Sequence, residues 1–257
     1  MSRTNRDPSI ADDPTEPTAR GGQFPETRWS LIAAARDADT AAQGRALAEL
    51  CRVYWYPLYS FARSRGRSPE DAEDLTQDLF RKLLANDSFG EADRERGRLR
   101  TFLLTAFTRL MASDFRRRTA AKRAPEIAAV EIDADLAEQR FQNEAAAGLD
   151  PEQLYAKHWA QAVLREVEAR LEGEFAGAGK AAFFAALKPM LAGESADGGY
   201  AQVAADHGMT EGAVKVAAFR LRQRFKIMLR EEIAHTVDRE EQIEDELRHL
   251  YQALAAG

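Results

Sequence analysis

The stretch YAQVAADHGMTEGAVKVAAFRLR, residues Tyr200–Arg222, contains two helical segments separated by a turn. Val203 and Ala204 lie in a short first helix, which Gly208 can end because glycine adopts a left-handed backbone without steric cost. Thr210 is a good N-cap for the second helix. The spacing of the small and apolar residues around this glycine allows the two helices to cross closely, so the stretch predicts a helix-turn-helix.

The second helix of this motif is both amphipathic and basic. Its predicted inward side consists of Val214, Ala217, Leu221, Phe225 and Met228. A helix-turn-helix presents the first half of its second helix to the DNA major groove. Its basic residues would then lie near the flanking phosphates, and they favour this interpretation over a plain helical hairpin with a solvated face. They are Lys215, Arg220, Arg222, Arg224 and Lys226.

The charge of the chain is strongly segregated. The 257 residues carry a net charge of −6, yet residues 94–123 hold ten Lys and Arg against Glu95 and Asp114. Residues 126–152 and 231–246 are acidic instead. Because a phosphate backbone meets the local field, the acidic total does not exclude nucleic acid as a partner.

Several classes of protein and site are not supported by the sequence. No apolar run approaches the length of a membrane span, and the N-terminus lacks the apolar core of a signal peptide. Cys51 is the only cysteine, which excludes an internal disulfide, so we expect a cytoplasmic protein. The glycine-rich AGAGKAA lacks the residues of a phosphate-binding loop, and the four histidines show no metal-ligand spacing. We therefore expect no enzyme, no metal and no cofactor.

Helical periodicity runs through most of the chain and predicts an all-α fold. We expect two helical domains joined by a flexible acidic linker, because periodicity weakens after Ala124 and Pro and Gly punctuate that stretch. The predicted parts are a disordered segment (1–22), a first helical domain (23–123), the linker (124–153), a second domain with the helix-turn-helix (154–236) and an acidic amphipathic helix (237–257).

The segment SPEDAEDLTQDLFRKLL, residues 68–84, has a well-formed helix start. Ser68 can cap the helix and Pro69 suits its first position. The buried stripe should consist of Ala72, Leu75, Leu79 and Leu83. A different face carries Asp74, Gln77, Asp78 and Arg81, which by spacing alone are ordinary surface groups.

The segment RGRLRTFLLTAFTRLMASDFRRRTAAKR, residues 96–123, predicts a basic helix. Phe102, Leu103, Ala106, Leu110 and Met111 can be buried on one side. Aromatics such as Phe107 and Phe115 among the arginines suit a nucleic-acid surface, where exposed bases stack on flat side chains. A solvated helix with a basic tail is an equally good interpretation of this segment alone.

These three segments, in this order, resemble bacterial RNA polymerase sigma factors of the extracytoplasmic-function type in the sigma-70 family. FPETRWSLI and YWYPLYSFARSRG are similar to one large branch, and the resemblance covers about residues 24–237. It implies two helical domains that bind core RNA polymerase and promoter DNA, with an anti-sigma factor or another regulator as a further partner. It assigns Asp74, Gln77 and Asp78 to polymerase binding, and Arg109, Phe115, Arg116, Arg117 and Arg118 to the minus-ten element.

The second domain would, by the same resemblance, read the minus-thirty-five element through Thr210, Glu211, Lys215, Phe219, Arg220 and Arg222. The run from Val216 to Phe219 departs from the family, in which many members have polar residues there. Direct readout would then depend on Glu211, Lys215 and Arg220, with Phe219 against a thymine methyl group. DNA shape and phosphate contacts would supply a larger share of recognition.

Two alternatives remain open at the level of sequence. One is a stand-alone helix-turn-helix regulator that occupies an operator, and the other is a helical interaction protein whose basic helices are only solvated. An operator-binding protein has no need of the Asp74–Gln77–Asp78 face or of the second basic helix. The C-terminal helix, with Ile243, Leu247, Leu250 and Leu254 on one side, is expected to pack on the second domain, cover the basic helix or bind a regulator.

Overall fold

The computed structural model describes residues 28, 40–84, 98–117, 133–144, 148–192 and 199–256. These residues form α-helices and two short 3₁₀ turns, Lys188–Ala192 and Glu240–Gln242, and no strand occurs among them. The all-α prediction is confirmed. The predicted disordered segment 1–22 lies outside the described residues. The helices are α1 (Thr40–Ser64), α2 (Pro69–Leu84), α3 (Leu99–Arg117), α4 (Ala134–Glu144), α5 (Pro151–Gly177), α6 (Ala181–Leu187), α7 (Gly199–Asp206), α8 (Glu211–Ala234) and α9 (Ile243–Ala255).

The chain divides into two compact units. Among the described residues, the larger unit comprises those up to residue 174 and those from 228 to 256, and the smaller unit comprises those from 175 to 227. The sequence predicted that residues 154–236 form one domain. In the structure, residues 154–174 and 228–236 instead belong to the larger compact unit. One physical reason is the ion pairing between Arg170 and Glu232, which joins these two stretches with Nη1 and Oε2 3.3 Å apart.

The core of the larger unit is built around the aromatic side of α1. Tyr54, Tyr59 and Phe61 are fully buried there. The Phe61 ring lies 6.3 Å from the ring of Phe107 on α3 and 6.3 Å from that of Tyr155 on α5. Burying one such side chain stabilises a fold by about 1.5–3 kcal/mol, so these rings tie the three helices together.

Helix α4 lies inside the stretch predicted as a flexible linker, residues 124–153. The sequence did not predict this helix, because Ala137 is its only described buried residue and its contacts are with distant positions. The carboxylate of Glu138 accepts hydrogen bonds from Tyr59 and Arg63 of α1, each at 2.7 Å. The hydrogen bond from Arg63 is the main reason that the pKa of Glu138 falls to about 2. Polar contacts therefore hold α4 on α1.

A second group of polar contacts joins α4 to α5. The buried His158 ring has Nδ1 2.7 Å from the hydroxyl of Ser60 and Nε2 2.6 Å from a carboxylate oxygen of Glu144. Tyr56 donates a hydrogen bond to the same carboxylate at 2.9 Å. Burial lowers the pKa of His158 to about 4, which favours the neutral ring at neutral pH.

The C-terminal helix belongs to the larger unit, where it follows a segment that contacts the start of α3. The backbone N–H of Leu99 donates to the carbonyl of Thr236 at 3.0 Å. Of the predicted apolar stripe, Ile243 and Leu250 are buried, while Leu247 and Leu254 are partly exposed. This helix contacts residues of the predicted second domain, because Glu244 pairs with Arg230 and the His249 ring lies 6.2 Å from the ring of Trp159. It also belongs to the same compact unit as the basic helix α3.

The smaller unit contains α6, the 3₁₀ turn, α7 and the first part of α8. Its buried side chains come from all of these elements and include Phe184, Leu187, Met190, Val203, Ala204, Val214, Ala218 and Leu221. Alternation of alanine with larger apolar residues lets short helices approach one another closely. This packing supports the first half of α8.

Candidate functional site

Helix α2 begins and packs as its sequence predicts. The Ser68 hydroxyl accepts a hydrogen bond from the backbone N–H of Asp71 at 3.1 Å, which is an N-cap interaction. The predicted stripe is confirmed, since Ala72, Leu75, Leu79 and Leu83 are all buried. This burial fixes the rotation of the helix, so its polar face is directed away from the core.

The polar face of α2 carries the three residues assigned to polymerase binding. Asp74 and Gln77 are exposed, and Gln77 donates to its neighbour Glu73 at 3.0 Å. Asp78 is half-buried and forms ion pairs with Arg81 and with Lys82, the latter at 2.7 Å. The negative charge of Asp78 is thus balanced within the helix, whereas Asp74 presents its carboxylate to solvent.

Helix α3 buries the side that was predicted, with one addition. Phe102, Leu103, Ala106, Leu110 and Met111 are buried, as expected. The interpretation of Phe107 as part of a nucleic-acid surface is wrong, because its side chain is fully buried against Phe61. The signal for this was in the sequence: Phe107 follows Leu103 by four residues and so extends the same apolar stripe.

Of the five residues assigned to the minus-ten element, Arg109 is the one whose side chain the structure describes. Arg109 is exposed on α3, opposite the buried stripe. The backbone of Phe115, Arg116 and Arg117 continues the helix, but their side chains lie outside the described part of the structure, as does the whole of Arg118. The helix therefore carries an exposed arginine seven residues, about two helical turns, before the arginine cluster.

An open depression of about 390 Å³ lies between the end of α1 and α3. It includes Gly66, whose φ of 80° belongs to the left-handed region, in the turn before α2. Two cations, Arg65 and Arg67, border it, and Arg67 donates to the carbonyl of Met111 at 3.2 Å. Arg65 also pairs with Glu152, so its charge is partly balanced.

The turn between α7 and α8 has the geometry that the glycine and threonine predicted. Gly208 has a φ of 63°, and the N–H of Met209 donates back to the carbonyl of Ala204 at 2.8 Å, which completes a Schellman-type helix end. The hydroxyl of Thr210 accepts from the N–H of Ala213 at 3.2 Å and caps α8. Two helices are thus joined by a four-residue turn.

The solvent-facing side of the first half of α8 is both charged and apolar. Lys215 forms an ion pair with Glu211 at 2.6 Å, and its hydrogen bond to this carboxylate raises the pKa of Lys215. Arg220 is exposed on the same half of the helix. Val216 and Phe219 are 51% and 56% exposed, although exposed large apolar side chains are unfavourable without a partner.

Two details of α8 differ from the sequence prediction. Ala218 and Leu229 are buried, whereas Ala217 and Phe225 from the predicted stripe are only partly buried. Arg222, which had been assigned to DNA, is half-buried and donates to the carbonyl of Met190 at 3.0 Å. This hydrogen bond holds α8 against the preceding 3₁₀ turn.

Within the part of the chain that the structure describes, no group of three or more His, Cys, Asp and Glu side chains is arranged to hold a metal ion. None of the described helices has both the length and the apolar character that a membrane span requires.

Residues 54–121 match the family model for sigma-70 region 2. No curated protein and no solved structure matches the chain. The matched span contains the second part of α1, from Tyr54 onward, and all of α2 and α3. Helix α2 carries the exposed acidic face, and α3 is the basic helix. The match supports a role in RNA polymerase binding and promoter recognition, and the matched family is one of transcription initiation factors, not of enzymes. Residues 54–121 are therefore similar to region 2 of the sigma-70 family.

Proposed function

We propose that the chain is a sigma factor of the extracytoplasmic-function type, which binds core RNA polymerase and directs it to a particular set of promoters. The observation that carries the proposal is the region 2 match over the second part of α1, α2 and α3. The helix-turn-helix geometry of α7 and α8 supports a second DNA-binding module of the region 4 kind, within residues 154–236. Residues 124–153 would connect the two modules, and residues 237–257 extend the chain beyond them.

Polymerase binding is assigned to the polar face of α2. Asp74 and Gln77 are exposed, so a partner can reach them without unfolding the helix. Asp78 lies on the same face, where its ion pairs with Arg81 and Lys82 would order the surface that the polymerase meets. An exposed acidic face on a rigid helix suits a basic protein surface, because complementary charge raises association rates and fixes the register.

Promoter melting is assigned to the second half of α3 and the residue that follows it. Arg109 is exposed there, and Phe115, Arg116, Arg117 and Arg118 follow in the sequence. Cationic side chains neutralise phosphates, and an aromatic ring can stack on an unpaired base. The burial of Phe107 leaves Phe115 as the aromatic candidate for this role.

Recognition of the minus-thirty-five element is assigned to the first half of α8. Thr210 and Glu211 lie at its N-terminus, and Lys215, Phe219 and Arg220 follow on its exposed part. Lysine and arginine can donate to guanine or to phosphates, while Phe219, 56% exposed, can contact a thymine methyl group. Val216 is exposed as well and would extend this apolar contact.

The partners of the proposed function are core RNA polymerase and promoter DNA, with an anti-sigma factor or another regulator as a third. Because bacterial polymerase acts on chromosomal DNA, the chain would work in the cytoplasm, at the nucleoid. The proposed steps need only binding energy and charge, so no cofactor enters them.

The polymerase assignment is tested by reversing one exposed charge. Asp74→Lys should weaken binding to core polymerase about tenfold or more, since interface charges of this kind are sensitive to reversal. Glu172→Lys is the matched control, because Glu172 is an exposed carboxylate on α5 outside the matched domain. Binding is measured by co-elution and by titration of labelled protein with core enzyme. Equal affinities for the two variants would contradict the assignment of α2.

A further inference from the structure

The C-terminal segment, residues 235–256, packs against the start of α3. Val237 pairs with Arg98 in an antiparallel bridge, and Leu99 donates its N–H to the carbonyl of Thr236 at 3.0 Å. Val237 and Leu250 are fully buried. Backbone hydrogen bonds together with buried apolar side chains hold this segment against the larger unit.

A buried carboxylate on α9 holds two arginines of the basic segment. Glu246 is fully buried, and Arg100 donates to it from Nε at 2.6 Å and from Nη2 at 3.1 Å. The Nε of Arg98 lies 3.5 Å from the second oxygen of Glu246, and its Nη2 lies 3.7 Å from Asp245. Two guanidinium groups thus converge on one carboxylate.

Arg100 belongs to α3, the helix that is assigned to DNA, and Arg98 directly precedes this helix. From residue 98 to residue 113, the described side chains include three cations, Arg98, Arg100 and Arg109. Two of the three contact Glu246. Carboxylate and phosphate are alternative ligands of the same guanidinium fork, so a DNA phosphate can bind these groups only after Glu246 has left.

We propose that the C-terminal segment is an autoinhibitory element, in which Glu246 occupies Arg98 and Arg100 and the DNA backbone competes with it for them. This inference rests on the proposed function, because it takes α3 as a DNA-contacting helix. In the closed state the acidic helix lowers the affinity of the region 2 domain for DNA. Displacement of the segment frees two cations at once.

The test compares two single charge removals on the same helix of the full-length chain. Glu246→Gln removes the carboxylate that holds both arginines. Glu244→Gln is the matched control, because Glu244 is exposed and pairs with Arg230 instead. Affinity for a fluorescein-labelled, A/T-rich single-stranded oligonucleotide is measured by anisotropy over a range of salt concentrations.

Two additional phosphate contacts should make the slope of log affinity against log salt more negative by about 1.4, and should tighten binding about 25-fold near 0.1 M salt. The control should bind like the wild type. An affinity and slope for Glu246→Gln that equal those of the wild type would overturn the inference.

Hydrogen exchange of the wild-type chain provides a second measurement that does not depend on a variant. Saturation with the oligonucleotide should accelerate amide exchange in residues 236–256, and unchanged protection of this segment in the DNA-bound state would refute the competition. The two proposals can fail separately. If all three chains bind DNA equally, only the autoinhibitory role is refuted. If neither the wild type nor the Glu246→Gln variant supports promoter-dependent transcription with core polymerase, the proposed function is refuted.

Discussion

Replacing Arg100 by methionine should destabilise the larger unit by about 2–4 kcal/mol. Breaking a buried ion pair by removing one partner costs about 3–5 kcal/mol, because a buried charge is left uncompensated. Arg98, 3.5 Å from the same carboxylate, can recover part of this loss for Glu246. The methionine also removes the contact of the Arg100 guanidinium with the Trp159 ring, whose centroid is 5.2 Å away, which adds about 0.5–1 kcal/mol.

A double-mutant cycle separates the pair from its surroundings. Glu246→Leu alone should cost about 3–5 kcal/mol, because two guanidinium groups then lose their shared carboxylate. The double variant Arg100→Met with Glu246→Leu should be more stable than the Glu246→Leu variant, since its remaining arginine, Arg98, is 31% exposed and can turn to solvent. Free energies of unfolding are measured by urea titration with circular dichroism. Additive losses in the cycle would refute an energetically coupled buried pair.

Three further predictions concern folding. The pKa of His158 is about 4 in the folded chain and 6.5 without burial, so the unfolded state takes up the proton first. The free energy of unfolding should therefore fall by about 3 kcal/mol as the pH drops from 6.5 towards 4. In urea titrations, the free energy of unfolding of His158→Gln should depend less on pH. Gly208→Ala should lower the free energy of unfolding by about 1–2 kcal/mol in urea titration, because φ is 63° at this position. Gly212→Ala should raise it by about 0.5–1 kcal/mol, because Gly212 lies in a helix with open space around the added methyl group. Phe107→Ala should lower the free energy of unfolding by about 3–5 kcal/mol, and a value below 1 kcal/mol would argue against the core position of this ring.

Local signals in the sequence predicted the parts of the fold that depend on neighbouring residues. Ser68 and Thr210 cap α2 and α8 as expected, and Gly208 ends α7 in the left-handed region. Capping and left-handed turns involve residues within a few positions of one another, so a single sequence contains the information that they require. The same holds for the apolar stripes of α2 and α3.

Contacts between distant residues were not predictable in this way. Helix α4 is held by Glu138 on Tyr59 and Arg63, which lie at least 75 positions earlier in the chain. The C-terminal helix is held through Arg100 and Glu246, which are 146 positions apart. A charged residue gives no sign in the sequence of which opposite charge it will meet. The first segment was therefore predicted as a flexible acidic linker, and the partner of the C-terminal helix was left open.

In the candidate site, too, local features were predictable from the sequence, whereas contacts between distant residues were not. The exposure of Asp74, Gln77 and Lys215 follows from helix periodicity and was expected. The engagement of Arg222 by the carbonyl of Met190 was not expected, because a carbonyl oxygen 32 positions away has no sequence signature. Charge alone therefore overestimated the number of fully exposed cations on α8.

Reconstituted transcription tests the central claim most directly. Core polymerase, genomic DNA fragments and the full-length chain are combined, and the 5′ ends of the transcripts are sequenced. The proposed function predicts a set of defined start sites that is absent with core enzyme alone. Lys215→Ala with Arg220→Ala should lose starts at these sites while core binding is retained. Transcripts that start at the same positions with and without the chain, together with no co-elution of the chain with core enzyme, would contradict a sigma factor function.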